Sequence, residues 1–130
     1  MLIDTNALIW YGLEPNRLSR RAAKLIREKD NFYSHVSLWE MAIKSSLGKL
    51  QLRASNGQRS TAKQFMLSMI RELQLSALAL EFDDLADVET LPQHHKDPFD
   101  RLLVVQASRC NLPIVSADPC FDKYGIRRIW

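Results

Sequence analysis

The stretch HHKDPFDRLL, residues 94–103, holds two histidines and two aspartates close together. Side chains of these types ligate metals, exchange protons or cap helices, and their spacing separates the options. Asp97 followed by Pro98 is a helix start. The aspartate accepts from the free amides of the first turn, and proline suits the first helical position, where no N–H is needed. Asp100 then falls one turn in, where a negative charge also suits the helix dipole. Adjacent histidines such as His94 and His95 point different ways in most conformations. Zinc sites prefer histidines three to five residues apart with further Cys or His partners, and the only other histidine is His35. The pair is therefore read as a surface loop and not as a ligand set.

Three other acids stand at positions where chemistry is also an option. Asp4 closes the apolar run MLI, and Asp118 follows the apolar run LPIVSA. Either one alone is a turn or cap residue. Glu40 lies three residues after Ser37 in SLWE, the spacing of a capping box. Lys44, four residues further on, is placed for an ion pair with Glu40 or for contact with a phosphate.

The elements that would carry these acids alternate. MLI reads as a short buried strand, and TNALIWYG as a helical turn. SRRAAKLIREK reads as a helix capped by Ser19, and NFYSHV as a β-rich run. SLWEMAIKSSLGKL and TAKQFMLSMIRELQ are amphipathic helices separated by the loop RASNGQRS. LSALAL is a strand, DDLADVETL a short acidic helix, and DPFDRLLVVQASRC a helix. LPIVSAD and IRRIW close the chain as strands. Such alternation predicts an α/β fold with a mainly parallel sheet covered on both faces. Ligands then bind beyond the carboxyl ends of the strands. Asp4 and Asp118 end strands there, and the helices bearing Glu40 and Asp100 begin there. Four carboxylates would converge and repel one another, unless some stay protonated or a divalent cation joins them. Mg²⁺ or Mn²⁺ suits such an oxygen set, and a site of this kind polarises phosphodiesters and activates water.

Taken in order, LIDTNALIW, VSLWEMAIKSSLGKLQL, HHKDPFDRLLVVQA and LPIVSADPCFDKYGI are spread over nearly the whole length of the chain. In these pieces the chain resembles the PIN-domain nucleases, and within them the VapC-type toxins of bacterial toxin–antitoxin pairs. WEMAIKSSLGKL and DPFDRLL carry most of the specificity. The resemblance implies a PIN-like three-layer α/β/α fold around a central, mainly parallel sheet. It implies a catalytic set of Asp4, Glu40, Asp100 and Asp118, with the metal, Mg²⁺ or Mn²⁺, on Asp4, Asp100 and Asp118. It further implies an endoribonuclease acting on structured RNA such as tRNA, a homodimer, and an antitoxin whose tail blocks the site. Asn6 stands where relatives often carry His.

Supporting residues are weighed on both sides. Thr5, Asn6 and Ser116 either orient a carboxylate or a metal-bound water, or make local turn bonds. Asp97 is a helix cap before it is a ligand. Lys44 and Arg101 are the RNA-contact candidates. Arg17, Arg20, Arg21, Lys24, Arg27 and Lys29 give one helix a basic face, which is either solvated or a phosphate-contact surface. Trp10, Trp39 and Met41 are read as core or interface packing, as is the stripe Met66, Leu67, Met69 and Ile70.

Bulk properties fit this picture. The chain of 130 residues suits one domain over residues 1–130, with 46% hydrophobic and 25% charged residues. A net charge of +3 and a pI near 9.0 permit a polyanionic partner without requiring one. Two cysteines, Cys110 and Cys120, are expected as free thiols in a reducing cytoplasm. Nothing approaches the ~18 apolar residues of a membrane span, and the N-terminus lacks the basic region of a signal peptide. Two other function classes remain open to the sequence. One is an aspartyl-phosphate phosphatase, which needs a second Asp where Asn6 stands. The other is a non-catalytic α/β module that binds nucleic acid or resembles a receiver domain.

Overall fold

A computed structural model describes residues 1–28, 30–54 and 56–130. Among these residues, five short strands form one parallel sheet: β1 (Leu2–Ile3), β2 (Phe32–Ser34), β3 (Ser76–Leu78), β4 (Ile114–Val115) and β5 (Arg128–Ile129). Their spatial order is β3-β2-β1-β4-β5. The chain therefore builds outward from β1 to one side, then returns to add β4 on the other. Leu2 pairs with Phe32 on one flank, while Leu2 and Ile3 pair with Ile114 and Val115 on the other. The crevice beyond the carboxyl ends of β1 and β4, where the order reverses, is where open α/β sheets bind ligands.

Among the described residues, six α-helices cover the sheet: α1 (Thr5–Leu13), α2 (Arg20–Ile26), α3 (His35–Ser46), α4 (Ala62–Leu73), α5 (Phe82–Asp87) and α6 (Pro98–Arg109). Alternation along the strands splits the core in two. Ile3 and Val115 pack with Ala7, Leu8, Ile26, Met41, Phe65 and Met66 on one face. Leu2 and Ile114 pack with Leu102, Leu103, Ala107 and Phe121 on the other. This is the three-layer arrangement expected from the sequence, with every strand pair parallel.

Several local expectations shift. NFYSHV is a strand only over Phe32–Ser34, because Ser34 caps α3 by accepting the Val36 N–H at 2.9 Å. Ser37 therefore lies inside the helix, where its hydroxyl accepts from Thr5 at 3.0 Å, and the Ser37–Glu40 capping box does not form. A capping box does form at Thr61 and Gln64. TNALIWYG is a full helix rather than a turn. SRRAAKLIREK is helical to Ile26, and its Lys29 lies outside the described residues, as does Ser55 of the RASNGQRS loop. Met41, Met66 and Met69 are core, whereas Trp39 is half exposed and Leu67 is 40% exposed.

A buried polar network ties α5 and α6 to β2. Asp84 accepts from Arg109 at 2.7 and 3.1 Å and from Gln106 at 3.2 Å. Gln106 also accepts from Ser34 at 2.5 Å and donates to the Ala79 carbonyl at 3.0 Å. Every oxygen of Asp84 is thus compensated, as a buried carboxylate requires.

Candidate active site

Asp4 leaves β1 and caps α1, with Oδ1 accepting the Asn6 N–H at 3.3 Å. Its other oxygen accepts from Ser116 Oγ at 2.7 Å. Ser116 follows β4, and its hydroxyl in turn accepts the Asp118 N–H at 3.1 Å. One serine thus links the acids of the two strands that flank the switch point. Asp118 begins a 3-10 turn over Pro119–Tyr124, accepting the Cys120 N–H at 2.8 Å. Asp97 caps α6 through the Phe99 N–H at 2.9 Å, with Pro98 at the first helical position. Capping and site-building are therefore not rival roles here, because a single aspartate can do both with different oxygens.

Glu40 lies deep in α3, only 2% exposed. Its Oε1 is paired with the Lys44 ammonium, while Oε2 is buried without a hydrogen-bond partner. A buried carboxylate oxygen left unpaired is costly unless something joins it. Asp100 faces the same space, and its side chain is 16% exposed. Burial, then the nearby charge of Asp4, push its carboxyl up to about 7, with Asp97 and Glu40 adding to the shift. Burial likewise raises Asp4 to about 6, against the Ser116 and Asn6 bonds, and Glu40 and Asp118 raise it further. Asp118 differs. Burial pushes its carboxyl up, but the Cys120 N–H and His95 outweigh that and hold it below the usual range. For Lys44, partial burial opposes the charge, yet Glu40, Asp97 and Asp100 keep its ammonium above the usual range.

His95 was not anticipated. Its Nε2 lies 2.9 Å from Asp118 Oδ2 and 3.1 Å from Asp100 Oδ2. One ligand atom from each of His95, Asp100 and Asp118 lies within 4.8 Å of the others. That close trio does not include Asp4 or Glu40, which interact with Asp100 as neighbouring charges. The reading of His94 and His95 as a plain surface loop therefore holds only for His94, which is exposed and packs edge-on to Tyr124 at 5.1 Å. His95 is instead turned toward the acids. Its Nδ1 accepts the Asp97 N–H at 3.0 Å, a residue-to-i+2 bond that turns the ring inward just before the helix cap.

The other named residues divide. Thr5 is buried, and its hydroxyl donates to Ser37. Asn6 is exposed. Arg101 corrects the expectation of an RNA contact. It is 6% exposed, and its guanidinium donates to the carbonyls of Val88 at 2.7 Å, Pro92 at 2.9 Å, Leu91 at 3.1 Å and His95 at 3.5 Å. With its donors facing those carbonyls, it fastens the segment leading into α6. Arg20, Arg21 and Lys24 keep the basic face of α2 exposed. At the rim, Trp39 and Phe99, each preceding a site acid, meet edge-to-face at 5.0 Å.

The four acids fit a divalent cation. They offer an oxygen donor set, an unpaired buried acceptor on Glu40 and, on Asp4 and Asp100, carboxyls whose ionisation the fold disfavours until positive charge arrives. This has a pH consequence. Folded-state values raised to about 6 for Asp4 and about 7 for Asp100 favour folding fully only below the ordinary carboxylate range. The stabilisation is lost as pH rises through 6 to 7. In EDTA, the urea midpoint should therefore fall between pH 5 and pH 8, by roughly 3 kcal/mol of stability, and Mg²⁺ should restore it at pH 8. A midpoint in EDTA that is flat or rises over this range would contradict the uncompensated cluster. Asp118, held low, changes the balance only below this window.

The chain superposes on a structure of FitAB bound to an IR36 DNA fragment, with a TM-score of 0.68 and 15% identity, covering 98% of this chain and 92% of that one. It also superposes on FitAcB from Neisseria gonorrhoeae, with a TM-score of 0.64 and 16% identity, covering 99% of this chain and 96% of that one. Identities this low establish a shared fold. No curated protein sequence matches the chain. The PIN-domain family model matches residues 1–126. The chain belongs to the PIN-domain family.

Proposed function

We propose that this protein is a divalent-metal-dependent endoribonuclease, the VapC-type toxin of a bacterial toxin–antitoxin pair. The observation that carries the reading is the meeting of Asp4, Glu40, Asp100 and Asp118 at the switch point, with one buried oxygen of Glu40 unpaired. Membership of the PIN-domain family supports a nuclease, and the VapC-like order of motifs supports the toxin role. Asp4, Asp100 and Asp118 would hold Mg²⁺ or Mn²⁺. When bound, such an ion would polarise the phosphodiester, activate a water and stabilise the leaving oxygen.

The chain's own residues do the positioning. Ser116 keeps Asp4 turned toward Asp118. Lys44 engages one oxygen of Glu40 and leaves the other to bind the ion or orient the attacking water. Lys44, partly exposed beside Glu40, also offers a cation to a substrate phosphate. The exposed basic face of α2 offers further phosphate contacts. The substrate is structured RNA such as tRNA, and cleavage leaves a 5′-phosphate and a 3′-hydroxyl. A homodimer and an antitoxin that covers the site complete the proposal, with action in the cytoplasm. Among the described residues, no helix is long and apolar enough to cross a membrane.

Aspartyl-phosphate chemistry is disfavoured by the site itself. Asp4 is 3% exposed and engaged by Ser116, and the position two residues on is Asn6. The test uses protein freed of any partner and incubated with total tRNA. Cleavage with Mg²⁺ or Mn²⁺ that stops in EDTA and disappears in Asp4→Asn is the expected result. RNA left intact by wild-type protein under all metal conditions would refute the nuclease reading.

A further inference from the structure

We propose that His95 stands in for the cation in the metal-free protein, so that its ring must turn away before an ion binds between Asp100 and Asp118. The proposal rests on the metal-site reading above. It assigns to His95 the role of competitor, not ligand.

The hydrogen bonds decide between those roles. A histidine that ligates through Nε2 needs its proton on Nδ1, where a carbonyl or carboxylate usually accepts it. In His95 the reverse holds. Nδ1 accepts the Asp97 N–H at 3.0 Å, so the neutral ring carries its proton on Nε2. That N–H donates to Asp118 Oδ2 at 2.9 Å, and Asp100 Oδ2 lies 3.1 Å from the same nitrogen as a close charge contact. A donor between two acceptors occupies the position that suits a positive ion. Ligation through the same nitrogen would require breaking the Asp97 bond and moving the proton across the ring.

The neighbourhood fixes which part can move. The His95 N–H donates to Tyr124 Oη at 2.8 Å, and Tyr124 Oη donates to the Pro92 carbonyl at 3.0 Å. Arg101 holds the Pro92 carbonyl from the other side at 2.9 Å. The backbone at residue 95 is thus tied at several points, while the side chain is 15% exposed and rests beside the Phe121 ring at 6.3 Å. Exchange with an ion therefore proceeds by side-chain rotation, with the loop in place.

Removing the ring has two effects of the same sign. An arriving ion no longer displaces the hydrogen bond to Asp118 and the close contact with Asp100. The carboxylates of the metal-free state also lose their shared donor, so the ion relieves more repulsion. Calorimetric Mg²⁺ titration of His95→Ala should show binding about tenfold tighter than wild type. His95→Gln, which keeps an N–H donor near the Nε2 position, should return toward the wild-type affinity. In wild type, the His95 side-chain ¹⁵N resonances should move on Mg²⁺ addition and report the lost carboxylate bonds. Weaker binding in His95→Ala would make the ring a ligand and overturn the proposal. So would unchanged binding in His95→Ala, provided that Asp100→Asn abolishes it. Absence of Mg²⁺ binding to wild type would instead overturn the metal-site reading on which the proposal stands.

Discussion

Asp100→Asn should reduce RNA cleavage by about a thousandfold, near 4 kcal/mol of barrier, while leaving the EDTA-treated protein as stable as wild type or more so. The two halves have one cause. Asp100 sits where burial and the Asp4 charge raise its carboxyl to about 7, so its charge works against the metal-free fold. A neutral amide of nearly the same shape removes that repulsion and keeps the contact with His95. The same amide is a poor ligand for a hard cation, so the protein should also lose the stabilisation that Mg²⁺ gives by binding the folded state. Cleavage rates and urea midpoints, each with Mg²⁺ and with EDTA, check every part. A midpoint in EDTA lower by several kcal/mol would make Asp100 a structural residue. Retained cleavage would remove it from the site.

Arg101→Ala should do the opposite, costing about 3 kcal/mol or more of stability whether metal is present or not. Its guanidinium answers four carbonyls between Val88 and His95. Truncation strands them beside a cavity at the start of α6. Arg101→Lys should recover little, because a single ammonium cannot reproduce the planar fork. Activity should fall along with stability, since this segment sets the approach of His95, Asp97 and Asp100. The measurement is the urea midpoint, with the slope expected to stay constant. Suppose instead that stability stays within about 0.5 kcal/mol of wild type while RNA affinity drops and loses part of its salt dependence. Arg101 would then be a phosphate contact after all.

These two residues also show what the sequence could carry. Asp100 was legible because Asp97 and Pro98 define a helix start, and strand–helix alternation decides which edge that start lies on. The same logic reaches Asp4, which follows β1 directly, and Asp118, which lies three residues past the end of β4. Local rules were enough wherever the partner is the next turn of the same element. Arg101 and His95 obey contacts set by how the 88–97 segment folds back on α6, and composition says nothing of that path. The capping box read at Ser37 and Glu40 does not form, for a related reason. S-x-x-E is a sound local pattern, but Ser34 captured the cap three residues earlier, because the strand pairing of β2 ends there. The parallel sheet was foreseeable from alternation alone. Its order was not, since strands of two or three residues carry too little pattern to state their neighbours.

The sheet order also bears on synthesis. β1 gains its partner β4, and Asp4 its bond from Ser116, across a separation of 112 residues. Ribosomes make chains from the amino end, and contacts between distant residues form late. Until residue 118 has been made, Asp4, Glu40 and Asp100 have no fourth carboxylate and no serine to orient the first. An unfinished chain therefore cannot present the assembled site beside the RNA that is being translated.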